Sequence, residues 1–174
     1  MDYRIYYAIN HLVSDHAWIG RAFNDFESRA VPALAVATFA LWLLARPGGR
    51  PKWKLASASA LASAALGLLI NQVIGKLWHR ERPFAAHPSA HVWGHRSHDP
   101  SFPSDHSSAA FAIAFAVFLF DRLVGSLFLA AAILIGVGRI VIGEHYPADV
   151  AAGCFIGREG SAATLGAPPF QGRV

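Results

Sequence analysis

The stretch "LASASALASAALGLLINQVIG", residues 55–75, carries no charged side chain along its whole length. The hydrocarbon core of a bilayer is crossed by about 20 helical residues, so this stretch predicts a membrane-spanning helix. The rest of the chain agrees, because 54% of its 174 residues are hydrophobic. Only 15% are charged, against about 25% in typical soluble domains. We therefore predict an all-α integral membrane helical bundle, formed by one domain over residues 1–174.

Apolar stretches on both sides of this segment extend the prediction to about five transmembrane helices. The others are residues 31–45, 103–120, 123–142 and 148–157, of which the last is only half a span. Residues 1–29 mix aromatic and charged side chains and predict one or two amphipathic helices at the membrane interface. The membrane core is then residues 30–157. Residues 158–174 contain charge, glycine and two prolines, and we expect a disordered or non-native tail there.

The connections between the spans predict the orientation of the chain. Residues 46–54 hold four basic side chains and no acidic one, which favours the cytoplasmic side. The loop at 77–103 then lies on the opposite side.

The net charge of +4 could indicate nucleic acid or anionic lipid, but the basic residues lie between apolar runs, so we expect no nucleic acid partner. The single cysteine, Cys154, excludes an intramolecular disulfide.

Three polar clusters should meet at the outer ends of these spans. They are "KLWHRERPF" at 76–84, "PSDH" at 103–106 and "GRIVIGEHYPAD" at 138–149. Arginine and lysine at membrane depth require a polar partner or water. The planar fork of arginine matches the oxygens of a phosphate group, and lysine adds a point charge. The clusters therefore predict a buried site for an exchangeable anion.

The second cluster predicts the start of a helix. Ser104 suits the N-cap position, and the free N–H groups of the first turn lie at the positive end of the helix dipole. Such a terminus binds anions, and His106 on that first turn should face the bound anion.

The third cluster predicts a nucleophile. Pro147 suits a first helical turn, so a helix beginning around Tyr146 would place His145 and Asp149 on one face. Asp149 could then accept a hydrogen bond from one imidazole nitrogen and leave the other free to attack. A histidine with an orienting carboxylate, together with a second histidine as acid, is suited to covalent phosphoryl transfer.

In this order the three clusters resemble the motifs of the type 2 phosphatidic acid phosphatase (PAP2) superfamily, which also includes the vanadium haloperoxidases. Those motifs are Lys-x6-Arg-Pro, Pro-Ser-Gly-His and Ser-Arg-x5-His-x3-Asp. "RERPF", "SFPSDH" and "GEHYPADV" look most like the bacterial undecaprenyl-diphosphatase branch. The resemblance implies a lipid phosphatase that hydrolyses undecaprenyl or another polyprenyl diphosphate to the monophosphate through a phosphohistidine. It also implies a multi-pass protein of the bacterial plasma membrane with its site on the extracytoplasmic side.

The resemblance also implies roles for individual residues. His145 would be the nucleophile, Asp149 its partner and His106 the acid. The implied phosphate-binding residues are Lys76, Arg82, Ser104, Asp105 and Arg139. No metal or other cofactor is implied, and the expected partners are a lipid phosphate substrate and the bilayer. The pattern leaves the oligomeric state open.

The chain departs from the family pattern at three positions. Five residues rather than six separate Lys76 from Arg82, which turns the lysine by about 100° around a helix. Asp105 stands where the family has glycine and adds a negative charge, which could point away or pair with an arginine. Gly138 stands where the family has serine and removes one hydroxyl donor.

Other functions compete with this interpretation. A phosphatidylglycerophosphate or phosphatidate phosphatase would use the same residues, whereas the spans argue against a vanadium haloperoxidase. An anion transporter or channel would need polar residues along the depth of the spans, and here they gather at one end.

We expect several of the remaining polar residues to have ordinary structural roles outside the site. Five loop histidines suggest a metal site, but Pro88 and Gly94 interrupt any helix that would align them, so we expect a solvated loop. These histidines are His79, His87, His91, His95 and His98. We expect Arg80 and Glu81 to form a solvated pair. Asn71 and Gln72 should form interhelical hydrogen bonds outside the site.

Overall fold

The computed structural model describes residues 1–45 and 52–166. Within these ranges the chain forms seven α-helices and no strand, which confirms the predicted all-α class. The helices are α1 (Asp2–Ser14), α2 (Ala17–Leu44), α3 (Lys52–Leu77), α4 (Pro83–Ala86), α5 (Asp105–Phe120), α6 (Arg122–Val141) and α7 (Pro147–Leu165).

Helix α5 lies at the centre of the bundle. Its side chains are small or apolar on every face, and ten residues between Ser107 and Val117 are buried. A helix that is apolar all round belongs in the interior, and α5 packs most extensively against α3, α6 and α7. Helix α5 is therefore enclosed by other elements between Ser107 and Val117, whereas Asp105 and His106 in its first turn are half-buried.

Two glycines bring α7 against the backbone of α5. A Cβ atom at Gly157 would lie 2.6 Å from the amide nitrogen of Ala112, and one at Gly153 would lie 2.8 Å from the carbonyl oxygen of Ser104. Small residues at a helix interface permit this approach. The amide of Ser104 also donates to the carbonyl of Asp149 at 3.2 Å, so the starts of α5 and α7 are held together.

The opposite end of the bundle is organised by Asp121, the residue between α5 and α6. Its Oδ1 accepts from the amide of Val124 at 3.2 Å and caps α6. Its Oδ2 accepts from Trp53 Nε1 at 3.1 Å and lies 3.6 Å from Lys52 Nζ. The start of α3 and the α5–α6 turn thus share one end, as alternating spans require. Most of the basic segment that predicts the cytoplasmic side, residues 46–51, lies outside the described residues.

The predicted boundary at residue 29 is wrong, because residues 17–29 form the first half of the continuous helix α2. The charged side chains in this half are exposed, except that Glu27 is buried against Arg139. Only α1 is a separate amphipathic helix, with Tyr6, Asn10 and Val13 buried along one face.

The prediction of a tail from residue 158 is also wrong over 158–165, where α7 continues to Leu165 and ends at the left-handed Gly166. Hydroxyl groups hold this part to the bundle. Ser161 donates to the carbonyl of Ala112 at 2.9 Å, and the hydroxyls of Ser63 and Thr164 are 2.6 Å apart. The remainder of the expected tail, residues 167–174, lies outside the described residues.

Three of the described helices, α2, α3 and α6, are long and apolar enough to cross a membrane. Helix α5 is apolar but has only 16 residues. The number of about five spans stays a prediction.

Candidate active site

A cavity of about 690 Å³ lies where α3 and α6 end and α5 begins. Six of the eight predicted site residues line it, although they come from three separate parts of the sequence. They are Lys76, Arg82, Asp105, His106, Arg139 and His145. The three clusters therefore converge on one site. The other two predicted residues, Ser104 and Asp149, are fully buried beside it.

His145 lies in the loop before α7 with its side chain buried. Its Nδ1 atom is 2.8 Å from the carbonyl oxygen of Ser101. Since a carbonyl only accepts, Nδ1 carries the proton and Nε2 keeps its lone pair. Nε2 lies 3.4 Å from Arg82 Nη1, at the cavity. The ring is thus held in the tautomer that a nucleophile requires.

Burial lowers the pKa of His145 below its ordinary value. The Asp149 carboxylate opposes this shift, whereas the positive charges of Arg139 and Arg82 add to it. The imidazole is therefore neutral at neutral pH, and Nε2 is available for attack.

The predicted direct hydrogen bond from His145 to Asp149 is wrong. Tyr146 is the N-cap of α7, so His145 precedes the helix, and its Nδ1 lies 3.7 Å from Asp149 Oδ2. Asp149 Oδ2 instead accepts from the Ser101 hydroxyl at 2.6 Å and from the amide of Tyr146 at 2.9 Å. Asp149 thus fixes Ser101, and the carbonyl of Ser101 orients the imidazole.

The expectation that Arg80 forms a solvated pair with Glu81 is also wrong. Arg80 Nη1 donates to Asp149 Oδ1 at 2.6 Å, and Nη2 donates to Asp2 Oδ2 at 2.5 Å. The guanidinium carbon lies 4.0 Å from the centre of the Tyr146 ring. Asp2 Oδ1 also accepts from the amide of Ala148 at 3.0 Å. The first turn of α1 is thereby tied to the first turn of α7.

The start of α5 is built as predicted, with Ser104 as its N-cap. The Ser104 hydroxyl accepts from the Ser107 amide at 3.4 Å and lies 3.1 Å from the Ser107 hydroxyl. It is therefore occupied within the helix turn and does not line the cavity. Asp105 Oδ1 accepts from Asn71 Nδ2 at 2.7 Å, so this carboxylate pairs with α3 and not with an arginine.

Asn71 forms the predicted interhelical bonds, including one of 2.9 Å from Nδ2 to the Ser108 hydroxyl. The expectation that Asn71 and Gln72 lie outside the site is wrong, because both line the cavity. Lys76 also lines it from the last turn of α3, with an exposed side chain.

Two buried glutamates of the site were missed at the level of sequence. Glu144 Oε2 accepts from Arg82 Nη1 at 3.0 Å and also from Arg139 Nη2. Glu27 Oε2 accepts from Arg139 Nη1 at 3.4 Å. A Cβ atom at Gly138 would lie 2.7 Å from Glu27 Oε1, so the glycine that replaces the family serine leaves room for this carboxylate. For Glu27 the available signal was an acidic residue within an apolar helix, since it demands a partner.

The loop histidines do not form a metal centre in the described residues, where no group of three or more histidine, cysteine or acidic side chains could hold an ion. His87 stacks on Tyr3 at 3.7 Å between ring centres, and His91 stacks on Trp93 at 5.8 Å. His79 and His95 line the cavity.

Residues 56–170 match the family model of the PAP2 superfamily. The chain is 33% identical over 150 residues to undecaprenyl-diphosphatase BcrC of Bacillus subtilis (strain 168), covering 86% of this chain and 75% of the relative. It is 32% identical over 149 residues to decaprenylphosphoryl-5-phosphoribose phosphatase of Mycobacterium tuberculosis (strain CDC 1551 / Oshkosh), covering 84% and 75%. The crystal structure of LpxE from Aquifex aeolicus has the same fold, with a TM-score of 0.80 and 22% identity over 95% of this chain and 94% of that one.

Fold and site together define a helical membrane phosphatase, a hydrolase with a multi-pass chain. The chain belongs to the PAP2 superfamily.

Proposed function

We propose that the protein removes the terminal phosphate of a polyprenyl diphosphate and releases the lipid monophosphate. The observation that carries this proposal is the state of His145, whose Nδ1 is fixed by the Ser101 carbonyl and whose Nε2 faces the cavity. The name of the Bacillus subtilis relative supports the choice of a diphosphate. The mycobacterial relative acts, by its name, on a decaprenylphosphoryl compound, which supports a polyprenyl tail.

The first step forms a phosphohistidine. The Nε2 lone pair of His145 attacks the terminal phosphorus, and a nitrogen–phosphorus bond forms as the bond to the bridging oxygen breaks. His106 donates a proton to that leaving oxygen, so the lipid monophosphate departs. The imidazole gains positive charge in this step, and the nearby carboxylate of Asp149, 3.7 Å from Nδ1, stabilises it.

The second step restores the enzyme. A water molecule attacks the phosphorus while His106 accepts one of its protons, and the nitrogen–phosphorus bond breaks to release phosphate. Arg82, Arg139 and Lys76 stabilise charge on the phosphoryl oxygens, together with the free amides at the start of α5. Fixed hydrogen-bond donors of this kind account for most of the rate acceleration in phosphoryl transfer.

The site is assigned to the extracytoplasmic face of the bacterial plasma membrane. This assignment rests on the basic sequence at 46–54, which favours the cytoplasm. Its described residues Lys52 and Trp53 contact Asp121 at the end of the bundle opposite the cavity. A cysteine introduced into the loop at 85–99, in a Cys154→Ser background, should react with an impermeant thiol reagent in intact cells. Labelling that requires lysis would reverse the assignment.

A panel of lipid phosphates in detergent tests the substrate. Polyprenyl diphosphate should give the highest kcat/KM, above phosphatidylglycerophosphate and phosphatidate, with release of one inorganic phosphate per lipid. A higher kcat/KM for a diacyl lipid would contradict the polyprenyl assignment. Phosphate flux across proteoliposomes without hydrolysis would contradict the enzyme altogether.

A further inference from the structure

A carboxylate occupies the donors that a phosphate group would need. Glu144 is 5% exposed, and its Oε2 atom accepts hydrogen bonds from both Arg82 and Arg139. The same Nη1 atom of Arg82 lies 3.4 Å from Nε2 of His145. Any phosphate placed for attack by His145 therefore meets the guanidinium groups that Glu144 now holds.

The two anions compete for the same N–H groups. Each N–H group of a guanidinium points in a fixed direction and forms one strong hydrogen bond. Glu144 approaches with one negative charge and a single oxygen shared by the two arginines. Asp105 adds further negative charge around the cavity. An incoming anion must then offset the loss of the Glu144 contacts and the repulsion by this carboxylate.

Building on the proposed function, we infer that Glu144 is a specificity-determining residue that selects terminal phosphate groups over phosphodiesters. A terminal phosphate carries up to two charges and three free oxygens, enough to replace Glu144 at both arginines. A phosphodiester carries one charge and two free oxygens, and gains little over the carboxylate that it must displace. The phosphodiester head groups of bilayer lipids are thereby kept out of the site.

The loop above Glu144 provides a second way to move the carboxylate. A Cβ atom at Gly94 would lie 3.1 Å from Glu144 Cδ and closer still to Oε1. Gly94→Ala should therefore push the carboxylate away from the arginines without changing its charge. The two variants Glu144→Gln and Gly94→Ala weaken the same contact by different means.

The test uses inorganic phosphate and diethyl phosphate as probes of the full-length protein in detergent. One readout is inhibition of phosphate release from a lipid diphosphate, and the other is the shift in unfolding temperature, which needs no turnover. In the wild-type protein phosphate should bind and diethyl phosphate should not. In Glu144→Gln the KI for phosphate should fall about tenfold, the order expected when one like charge leaves a partly desolvated site. Diethyl phosphate should also become an inhibitor.

Gly94→Ala should shift both constants in the same direction. Glu81→Gln, the same change at an exposed side chain near the site, should leave them unchanged. A KI for phosphate that rises or stays constant in both test variants would overturn the inference. Glu144 would then hold the two arginines in position without competing with phosphate for them. If the wild-type protein neither binds phosphate nor releases it from lipids, that result contradicts the proposed function itself and not only the role of Glu144.

Discussion

The two ends of the bundle handle charge in opposite ways. At the cavity end, Arg82, Arg139, Glu27 and Glu144 are all buried and bonded to one another. At the other end, the single carboxylate of Asp121 caps a helix and pairs with the half-exposed Lys52. Buried ion pairs contribute little net stability because desolvation offsets their attraction. We therefore expect the charges of the cavity end to serve binding, whereas Asp121 stabilises the fold.

The largest expected effect comes from His145 at the cavity end. His145→Ala removes the attacking nitrogen, so phosphate release should fall by more than about 10⁴-fold. The protein should still be expressed and extracted as the wild type, as measured by size-exclusion chromatography in detergent. Turnover within tenfold of wild type would remove His145 from the mechanism.

An arginine-to-lysine change at each end compares the two regions directly. Arg139→Lys keeps the charge but loses the planar fork that contacts Glu27 and Glu144, so kcat/KM should fall about 100-fold. Arg122→Lys makes the same change at the exposed start of α6 and should leave kcat/KM unaltered. Equal losses in the two variants would show that the ends do not differ in function.

A smaller effect is expected at Asp2, which ties Arg80 to the first turn of α7. Asp2→Asn removes a partly exposed ion pair worth up to about 1 kcal/mol, so kcat should fall at most about fivefold. KM should be nearly unchanged, because Asp2 acts through Asp149 and does not line the cavity. A raised KM with an unchanged kcat would place Asp2 in substrate binding instead.

The effect of Asp121→Ala on activity should be the smallest. Loss of an N-cap side chain costs about 1 kcal/mol of stability, and the bond from Trp53 is lost as well. The unfolding temperature should drop while kcat/KM measured well below it stays constant. A loss of activity in Asp121→Ala well below the unfolding temperature would mean that the Asp121 end of the bundle influences the geometry of the site.

Local chemistry made much of this site predictable. Ser104 begins α5 and Tyr146 precedes α7 because capping residues act within a few positions of themselves. The alternation of spans then brought the three clusters to one end.

The ionic partners were not predictable, because they depend on distances that only the packed bundle defines. Glu27 meets Arg139 across 112 positions of sequence, and Arg80 reaches Asp2 across 78. The role of Ser101 was hidden for another reason. It orients His145 through a backbone carbonyl, which every residue type possesses.

The close crossing at Gly153 and Gly157 has a consequence for motion. Main chain touches main chain there, so the spacing between the His145 loop and the first turn of α5 does not depend on side-chain rotamers. We expect local opening of the outer helices to leave that spacing intact, with α5 and α7 opening together as one cooperative unit. In amide hydrogen exchange we expect the buried α5–α7 contact to exchange most slowly among the described residues, so that the proposed nucleophile His145 adjoins the most stable part of the bundle.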